Sequence, residues 1–212
     1  MYLERPLKDF IEDTSSRTPT PGGGSVAALV GALGGALLSM VGNFTLGKKK
    51  FELVQKEIKD ILQELNLYTS RLCELIQDDI SAYQNFSRVS SLPKNTQQER
   101  KIRMEAMEKA LKNAAEVPLK TADLSLKLIK LASRLVSIGN PNLISDVGVG
   151  AILAEATLES AALNVEINLS YIKDTEFIKE KRKLLISLLN EGKEFTRRIV
   201  KEVREKISPS PS

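Results

Sequence analysis

Apolar residues recur along most of this chain at the three- and four-residue spacing of amphipathic helices. No stretch shows the alternation of apolar and polar residues, bounded by turns, that is typical of β-strands. The pattern predicts seven helices, at about 3–12, 25–46, 51–89, 96–116, 118–138, 145–171 and 175–207. Because short connections separate long helices, we expect an all-α fold, an antiparallel bundle that forms a single domain over residues 1–207. The Ser/Pro tail at 208–212 is expected to be disordered.

The predicted helix at 51–89 has a seven-residue repeat with one apolar seam. Apolar residues or tyrosine fill eleven of its twelve seam positions, and Asp79 fills the other. The seam positions are Phe51, Val54, Ile58, Ile61, Leu65, Tyr68, Leu72, Leu75, Asp79, Ala82, Phe86 and Val89. Asp79 faces solvent if the seam ends just before it. It is buried if the apolar positions that follow continue the seam, and their register favours burial.

A buried carboxyl group would give this chain a means of proton transfer. Desolvation raises the pKa of a carboxyl group unless the group is paired. The chain contains no histidine, so a carboxyl with a raised pKa is its best available general acid or base. Asp79 is therefore the candidate catalytic residue. Tyr83, one helical turn later on the same face, is expected to hydrogen-bond to the site or simply to pack there.

Two prolines and three glycines lead into the predicted helix at 25–46, and Ser25 is expected to cap it. Backbone N–H groups without side chains around them, at the positive end of a helix, suit a polar or anionic ligand. The candidate binding residues in this loop are Pro21, Gly22, Gly23, Gly24 and Ser25. The alternative is a flexible loop that ends in a capped helix. It is not a P-loop, because no lysine follows at the required spacing.

Four more candidate ligand-binding residues lie in turns or at helix starts. Ser145 and Asp146 begin the predicted helix at 145–171, either as ligand contacts or as an ordinary cap with a first-turn acid. Asn142 belongs to the Gly-Asn-Pro-Asn turn just before them. Lys94, in the turn after the long seam helix, is a candidate partner for a ligand carboxylate.

The predicted helices at 25–46 and 145–171 are rich in Gly, Ala and Ser, which predicts that they pack closely together. The first is also long enough to cross a membrane, because residues 22–47 contain no charged side chain. We expect no membrane span, since small residues insert poorly into lipid. The matching helix also contains Asp146, Glu155, Glu159 and Glu166, which cannot enter lipid cheaply.

Composition narrows the classes of function. The chain has 212 residues and a net charge of +4, too diffuse to indicate nucleic-acid binding. The absence of histidine excludes Ser-His-Asp chemistry and argues against a metal site. One cysteine excludes a disulfide framework. No secretory leader is visible in the charged N-terminal segment, so we expect a cytoplasmic protein.

Several segments together resemble the cyclodeaminase family, which comprises the cyclodeaminase domain of formiminotransferase-cyclodeaminase and bacterial methenyltetrahydrofolate cyclohydrolases. The similar segments are Pro19-Thr20-Pro21-Gly22-Gly23-Gly24-Ser25-Val26-Ala27-Ala28, Asp79-Ile80-Ser81-Ala82-Tyr83, Leu92-Pro93-Lys94, Ser145-Asp146-Val147-Gly148-Val149-Gly150-Ala151 and Ala161-Ala162-Leu163-Asn164-Val165. They occur in the expected order, and the resemblance covers about residues 3–207. The first segment and the last two, which belong to one block, are specific, whereas the Asp79 motif alone would be weak.

The resemblance implies an all-helical homodimer that binds folate in a cleft near the subunit interface, with no tightly bound cofactor. It implies conversion of 5-formiminotetrahydrofolate to 5,10-methenyltetrahydrofolate and ammonia, or, alternatively, the cyclohydrolase reaction on the same scaffold. We expect Asp79 to transfer the proton and Tyr83 to orient the Asp79 side chain. The glycine loop would hold polar parts of folate, and Lys94 would contact the glutamate tail of folate. A competing hypothesis is a non-catalytic helical interaction protein.

Overall fold

Residues 2–208 are described by the computed structural model of the chain, which contains six α-helices and no strand over that range. The α-helices are α1 (Leu7–Ser15), α2 (Gly23–Thr45), α3 (Gln55–Ser90), α4 (Gln97–Ile138), α5 (Ile144–Leu169) and α6 (Thr175–Ile207). Short 3₁₀-helices occur at Tyr2–Glu4, Lys49–Val54 and Pro141–Leu143. Short connections link each helix to the next from α2 through α6. The predicted all-α bundle is confirmed.

The two helices rich in small residues, α2 and α5, pack against each other. A Cβ atom added at Gly34 would lie 3.1 Å from the carbonyl oxygen of Gly150, and one added at Gly150 would lie 3.2 Å from that of Gly34. Any side chain at either position would push the two backbones apart. The predicted close packing is confirmed, and glycine at both positions makes it possible. Behind this pair, α4 packs on α3, α5 and α6 around an aliphatic core.

Two predicted helix starts are confirmed by their caps. The hydroxyl of Thr96 accepts a hydrogen bond from the backbone N–H of Glu99, and the Glu99 carboxylate accepts one from Thr96 N–H, which completes a capping box. The side chain of Asp174 accepts from Phe177 N–H at the start of α6. These local bonds fix where α4 and α6 begin.

The predicted helix at 3–12 is wrong in its bounds. The structure has a 3₁₀-helix at Tyr2–Glu4 and a separate α1 that begins at Leu7. Pro6 lies between them, and a proline disfavours the helical conformation of the residue before it, here Arg5. The proline therefore ends the first turn and fixes the start of α1.

The prediction that Pro118 starts a new helix is also wrong. Pro118 lies inside α4, which runs without a break over 42 residues. A proline within a helix leaves the carbonyl four residues earlier without its N–H donor. That carbonyl belongs to Ala114, and it accepts a hydrogen bond of 3.0 Å from Nδ2 of Asn168 on α5. A side chain from the neighbouring helix thus replaces the missing backbone donor.

The helix α2 is long and apolar enough to cross a membrane by length and composition. In the structure, 56% of its most apolar window is buried inside the bundle, against α3 and α5. This burial accounts for its apolar composition as a core helix. The predicted disordered tail lies outside the described residues except for Ser208, whose N–H donates to the carbonyl of Arg204.

Candidate functional site

A cleft of about 310 Å³ opens where the start of α2 meets α3, α4 and the last turns of α5. Its walls combine bare backbone from the glycine loop with one carboxyl group, two carboxamides and several aromatic rings. The lining residues are Pro19, Thr20, Gly22, Gly23, Gly24, Asp79, Ala82, Tyr83, Phe86, Leu111, Ala114, Asn164, Ile167, Asn168 and Tyr171. The cleft is large enough to hold part of a planar, partly polar small molecule.

Asp79 lines this cleft, and Ser25 lies behind it, bonded to its carboxyl group. The Ser25 hydroxyl donates a hydrogen bond of 2.7 Å to Oδ2 of Asp79, and Ser25 itself is fully buried. The expectation that Ser25 caps α2 is wrong, because the helix begins at Gly23 and its N-cap is Gly22. Ser25 therefore lies within the first turn, where its side chain reaches across to α3.

The environment of Asp79 raises the pKa of its carboxyl group, chiefly because burial penalises the charged form. The hydroxyl and the backbone N–H of Ser25 act in the opposite direction and lower the pKa. Desolvation is the larger of the two influences. The expected increase in pKa is therefore present at this half-buried side chain, which also lines the cleft. A carboxyl group with a raised pKa, exposed to a cleft, is suited to exchange a proton with a bound molecule.

Gly24 is needed because the Asp79 carboxyl lies directly against its Cα. A Cβ atom added at Gly24 would overlap Oδ1 of Asp79 and would lie 2.7 Å from its Cγ. A Cβ atom added at Gly23 would make only an ordinary van der Waals contact, with the Asn164 side chain at 3.4 Å. One added at Gly22 would have more space, with 3.7 Å to the Pro19 carbonyl oxygen. Of the three glycines, only Gly24 is required by close approach to the carboxyl group.

Aromatic rings form the outer walls of the cleft. Tyr83 and Phe86 pack with 6.4 Å between their ring centroids, and Tyr171 closes the wall from the end of α5. No hydrogen bond joins Tyr83 to Asp79 within residues 2–208, so the structure supports the packing alternative for Tyr83. These rings offer flat apolar surfaces suited to a conjugated ring system.

Sequence reasoning did not assign a role to Asn164 or Asn168. The Nδ2 group of Asn164 donates to Ser160 O, and that of Asn168 donates to Ala114 O and Asn164 O. Their donor groups are thus used within the protein, which leaves the carboxamide oxygens available as acceptors for a ligand. Two asparagines one helical turn apart on a helix otherwise rich in small residues were the signal that could have found them.

The remaining predicted site residues lie outside the cleft. Pro21 is buried behind the loop, and Lys94 lines a neighbouring groove. The turn that holds Asn142 is bonded to the far end of α2, where Asn140 N–H donates to Thr45 Oγ1. Since α2 spans about 33 Å from end to end, its two ends cannot share one small site.

Within a single copy of the chain, the start of α5 therefore lies away from the glycine loop, and a ligand role for the residues there stays a prediction. The residues concerned are Asn142, Ser145 and Asp146. It is the other end of α5, from Asn164 to Tyr171, that forms a wall of the cleft. The helix was assigned correctly, but its C-terminal end rather than its N-terminal end meets the loop.

The cleft offers few groups for a metal ion. No group of three His, Cys, Asp or Glu side chains suited to metal binding occurs in the described part of the chain. Asp78 lies next to Asp79 in sequence, but its carboxylate accepts a 2.8 Å hydrogen bond from Arg71 and does not line the cleft. The site's chemistry thus centres on one desolvated carboxyl, one hydroxyl and the backbone of the loop.

Comparison with known proteins adds a family match that covers most of the chain. The family model described as "Formiminotransferase-cyclodeaminase" matches residues 6–185. The chain is 39% identical to the methenyltetrahydrofolate cyclohydrolase of Methylorubrum extorquens, over 95% of this chain and 97% of that protein. It is 36% identical to the formimidoyltransferase-cyclodeaminase of Rattus norvegicus over 90% of this chain, but it spans only 35% of that longer protein.

A solved structure has the same fold. The crystal structure of formiminotetrahydrofolate cyclodeaminase from Thermotoga maritima superimposes with a TM-score of 0.88 at 31% sequence identity. The match covers 97% of this chain and 100% of the other. Similarity therefore extends over the whole bundle, including the elements that form the cleft.

Proposed function

This chain belongs to the formiminotransferase-cyclodeaminase family, and we propose that it is a folate enzyme that acts as a methenyltetrahydrofolate cyclohydrolase. The reaction takes place at the carbon that bridges N5 and N10 of tetrahydrofolate. Similarity to the Methylorubrum cyclohydrolase over nearly the full length of both proteins favours this activity. The observation that supports it in the structure is the desolvated carboxyl of Asp79, which lies at the base of an aromatic-walled cleft.

In the proposed hydrolysis, a water molecule adds to the cationic bridging carbon of 5,10-methenyltetrahydrofolate. The Asp79 carboxylate accepts one proton of that water as the new C–O bond forms, which gives a neutral tetrahedral carbon. The C–N5 bond then breaks, and N5 receives the proton from Asp79. The hydroxyl proton passes to solvent as the formyl carbonyl forms, so the products are 10-formyltetrahydrofolate and one proton. A carboxyl group whose pKa is raised suits both transfers.

A second candidate activity is cyclodeamination, favoured by the likeness to the Thermotoga cyclodeaminase over its whole chain. Here N10 attacks the formimino carbon of 5-formiminotetrahydrofolate, and the C–N bond to the departing nitrogen breaks. The formimino nitrogen enters protonated, as =NH2⁺, so one further proton from the carboxyl of Asp79 lets it leave as ammonia. The N10 proton restores Asp79, and the positive charge remains on the methenyl product. The same cleft serves both reactions because both pass through a tetrahedral carbon between N5 and N10.

A spectroscopic assay separates these activities, because 5,10-methenyltetrahydrofolate absorbs in the near ultraviolet. A cyclohydrolase accelerates the loss of this band when methenyltetrahydrofolate is supplied. A cyclodeaminase instead creates the band from 5-formiminotetrahydrofolate and releases one ammonia per molecule. If neither change exceeds that of buffer, the protein is not an enzyme of either kind and the hypothesis of a non-catalytic interaction protein gains support.

We propose that two copies of the chain associate through an apolar face on α2 and α5. Large apolar side chains at helical spacing are about half exposed there: Leu33, Phe44, Val149, Ile152, Leu163 and Ile167. Of these, Ile167 also lines the cleft, so the face is continuous with the site. Large apolar side chains that are exposed together favour association. In a two-fold dimer with antiparallel α5 helices, the start of the partner helix lies beside the cleft.

This arrangement gives a role to residues that lie far from the cleft in a single copy. Ser145 and Asp146 stand at the start of α5, and Ile167 stands near its end. An antiparallel contact across the two-fold axis exchanges these ends, so that the start of one α5 approaches the cleft of the other subunit. We propose that Asp146 and its neighbours complete the site in this way. We also propose a cytoplasmic location, because α2, the helix of the described residues that is apolar enough to cross a membrane, has 56% of its apolar window buried in the bundle.

A further inference from the structure

Ser25 lies in the first turn of α2, where it presents two hydrogen-bond donors to Asp79. The helix begins at Gly23, so the backbone N–H of Ser25 has no acceptor within α2. This N–H and the Ser25 hydroxyl both donate to the Asp79 carboxyl group, the hydroxyl at 2.7 Å to Oδ2. A side chain of α3 thus caps the start of α2, and Ser25 fixes the orientation of that side chain.

The Ser25 hydroxyl is shielded from solvent. Ser25 has no exposed surface, whereas Asp79 is half-buried and lines the cleft. Water that enters the cleft can therefore reach the carboxyl group but not the hydroxyl behind it. Because a buried hydroxyl without an acceptor is destabilising, this group needs an acceptor in both protonation states of Asp79.

A second acceptor lies within reach of the same hydroxyl. The carbonyl oxygen of Ile76, about one turn before Asp79 on α3, is 3.4 Å from Oγ of Ser25. This distance is too long for a strong O–H···O bond, so the hydroxyl serves Asp79 first. A carbonyl oxygen has two lone pairs, and that of Ile76 uses one of them within α3. The other lone pair can accept from Ser25 when the hydroxyl turns.

The elements packed around Asp79 bring no other charge to the cleft. Residues 22–47 on the α2 side contain no charged side chain. The lining residues of α4 and α5 are apolar or carry carboxamides, and Asp78 on α3 does not line the cleft. The other titratable side chains among the described residues that line it are Tyr83 and Tyr171. Hydrogen bonds rather than ion pairs therefore stabilise the charged form of Asp79.

We propose that Ser25 is the positioning residue of this site: its hydroxyl holds Oδ2 of the charged Asp79 carboxyl and turns to the carbonyl oxygen of Ile76 when that carboxyl takes up a proton. The proposal rests on the proposed function. The transferred proton passes from the substrate water to Asp79 and on to N5, while Ser25 keeps its own proton and changes only its acceptor. The bond to the charged carboxyl is roughly twice as strong as a neutral one, so Ser25 favours the charged form. Neither state leaves the hydroxyl without an acceptor.

Loss of the hydroxyl should change how activity depends on pH. In Ser25→Ala the charged form of Asp79 loses a donor that lowers its pKa, so the carboxyl should hold its proton to higher pH. The test is the profile of kcat/KM against pH for methenyltetrahydrofolate hydrolysis, corrected for the buffer rate, because it reports groups of the free enzyme. We expect the ascending limb to move to higher pH. The loss should be about tenfold at the acidic end and should shrink as the pH rises.

Ser39→Ala is the matched control. Ser39 also belongs to α2, but its hydroxyl donates at 2.9 Å to the carbonyl oxygen of Gly35 within the same helix. This variant should keep the wild-type profile. Ser25→Cys fills a similar space with a poor donor, and it gives the same measurement if the alanine variant does not fold.

The outcomes separate this role of Ser25 from the proposed function. A loss of equal size at every pH would mean that the hydroxyl only supports the fold, and a wild-type profile would mean that it does not act on Asp79. Either result overturns the role of Ser25 while the proposed function stands. If the protein is a cyclodeaminase, Asp79 acts as an acid, and its descending limb should move to higher pH instead. If the wild-type protein accelerates neither reaction, the proposed function fails and the role of Ser25 fails with it.

Discussion

Asn168 donates a 3.0 Å hydrogen bond from Nδ2 to the carbonyl oxygen of Ala114. That carbonyl lacks its helical donor because the residue four positions later is Pro118. Both Ala114 and Asn168 line the cleft. The proline in α4 and the asparagine on α5 thus act together to hold two walls of the site at a fixed separation.

This relationship predicts energetic coupling between positions 118 and 168. Asn168→Ala should lower the free energy of unfolding by about 1–3 kcal/mol, because it leaves a partly buried carbonyl without a donor. In a Pro118→Ala background the restored backbone N–H can serve Ala114, so the same change should cost about 1 kcal/mol less. Urea denaturation of the four proteins of this double-mutant cycle measures the difference. Strictly additive effects would contradict the shared role of the carbonyl.

The same pair of residues shows what the sequence could and could not predict. The helical periods and the seam around Asp79 are local patterns, and they predicted most of the fold. Pro118 was misplaced because its compensation comes from Asn168, which is 50 positions later in the sequence. A single sequence does not show which side chain of another helix will satisfy an unpaired carbonyl.

The site was predicted only in part, for a related reason. The glycine loop and Asp79 were recognised because their residue types are unusual in their local setting. The role of Ser25 was missed, since its hydroxyl finds Asp79 across the bundle rather than the N–H groups of its own helix. Which end of α5 meets the loop depends on helix direction and length, and the composition of the helix does not contain that information.

Gly24→Ala should disable the site. The added methyl group overlaps the Asp79 carboxyl and must push it away from Ser25, at a cost of about 1–3 kcal/mol in the free energy of unfolding. We expect kcat/KM to fall by roughly 100-fold or more, since a displaced catalytic group loses its geometry. Gly22→Ala is the matched comparison, because its methyl group has 3.7 Å of space and does not reach Asp79, so it should lower activity far less and cost about 1 kcal/mol or less in stability. Equal losses of activity in the two variants would show that Gly24 has no special role.

Asp79→Asn should keep the fold and lose the reaction. The carboxamide oxygen can still accept the Ser25 hydroxyl, but the side chain can no longer transfer a proton. We expect kcat to fall by roughly 10²- to 10⁴-fold with a smaller change in KM. Asp78→Asn is the control, because it removes only a half-exposed ion pair with Arg71 and should leave turnover near the wild-type value. Steady-state kinetics on both folate substrates makes the comparison, and near-wild-type turnover of Asp79→Asn would exclude Asp79 as the catalytic group.

The raised pKa of Asp79 also predicts how stability depends on pH. The folded protein binds the proton of the Asp79 carboxyl more tightly than the unfolded chain does. The contribution of this proton to the free energy of unfolding is therefore fully present below the ordinary carboxyl pKa of about 3.9. It is lost as the pH rises through the raised pKa of the folded state. Asn is neutral at every pH, so the variant does not lose this stabilisation as the pH rises. Asp79→Asn should therefore gain stability relative to wild type between acidic and neutral pH.

Thermal unfolding of both proteins at about pH 4 and about pH 8 tests this sign. The difference in melting temperature, variant minus wild type, should increase with pH. A difference that shrinks as the pH rises would mean that the charged form of Asp79 is the one that the fold favours. In that case the bonds from Ser25 would outweigh desolvation.

Complementation between inactive variants tests whether the site is shared between two subunits. If Asp146 of one copy completes the cleft of the other, each cleft takes its Asp79 from one subunit and its Asp146 from the other. Asp79→Asn and Asp146→Asn then remove residues that different subunits contribute to one cleft. In a mixed dimer both lesions then fall in one cleft, and the other cleft is intact. Random reassociation should restore about a quarter of the wild-type activity, since half of the dimers are mixed and each has one good site. A mixture of Asp79→Asn with Gly24→Ala is the negative control, because each mixed dimer then has a lesion in both clefts. No recovery in the first mixture, with dimers shown to exchange subunits, would place Asp146 outside the partner's site.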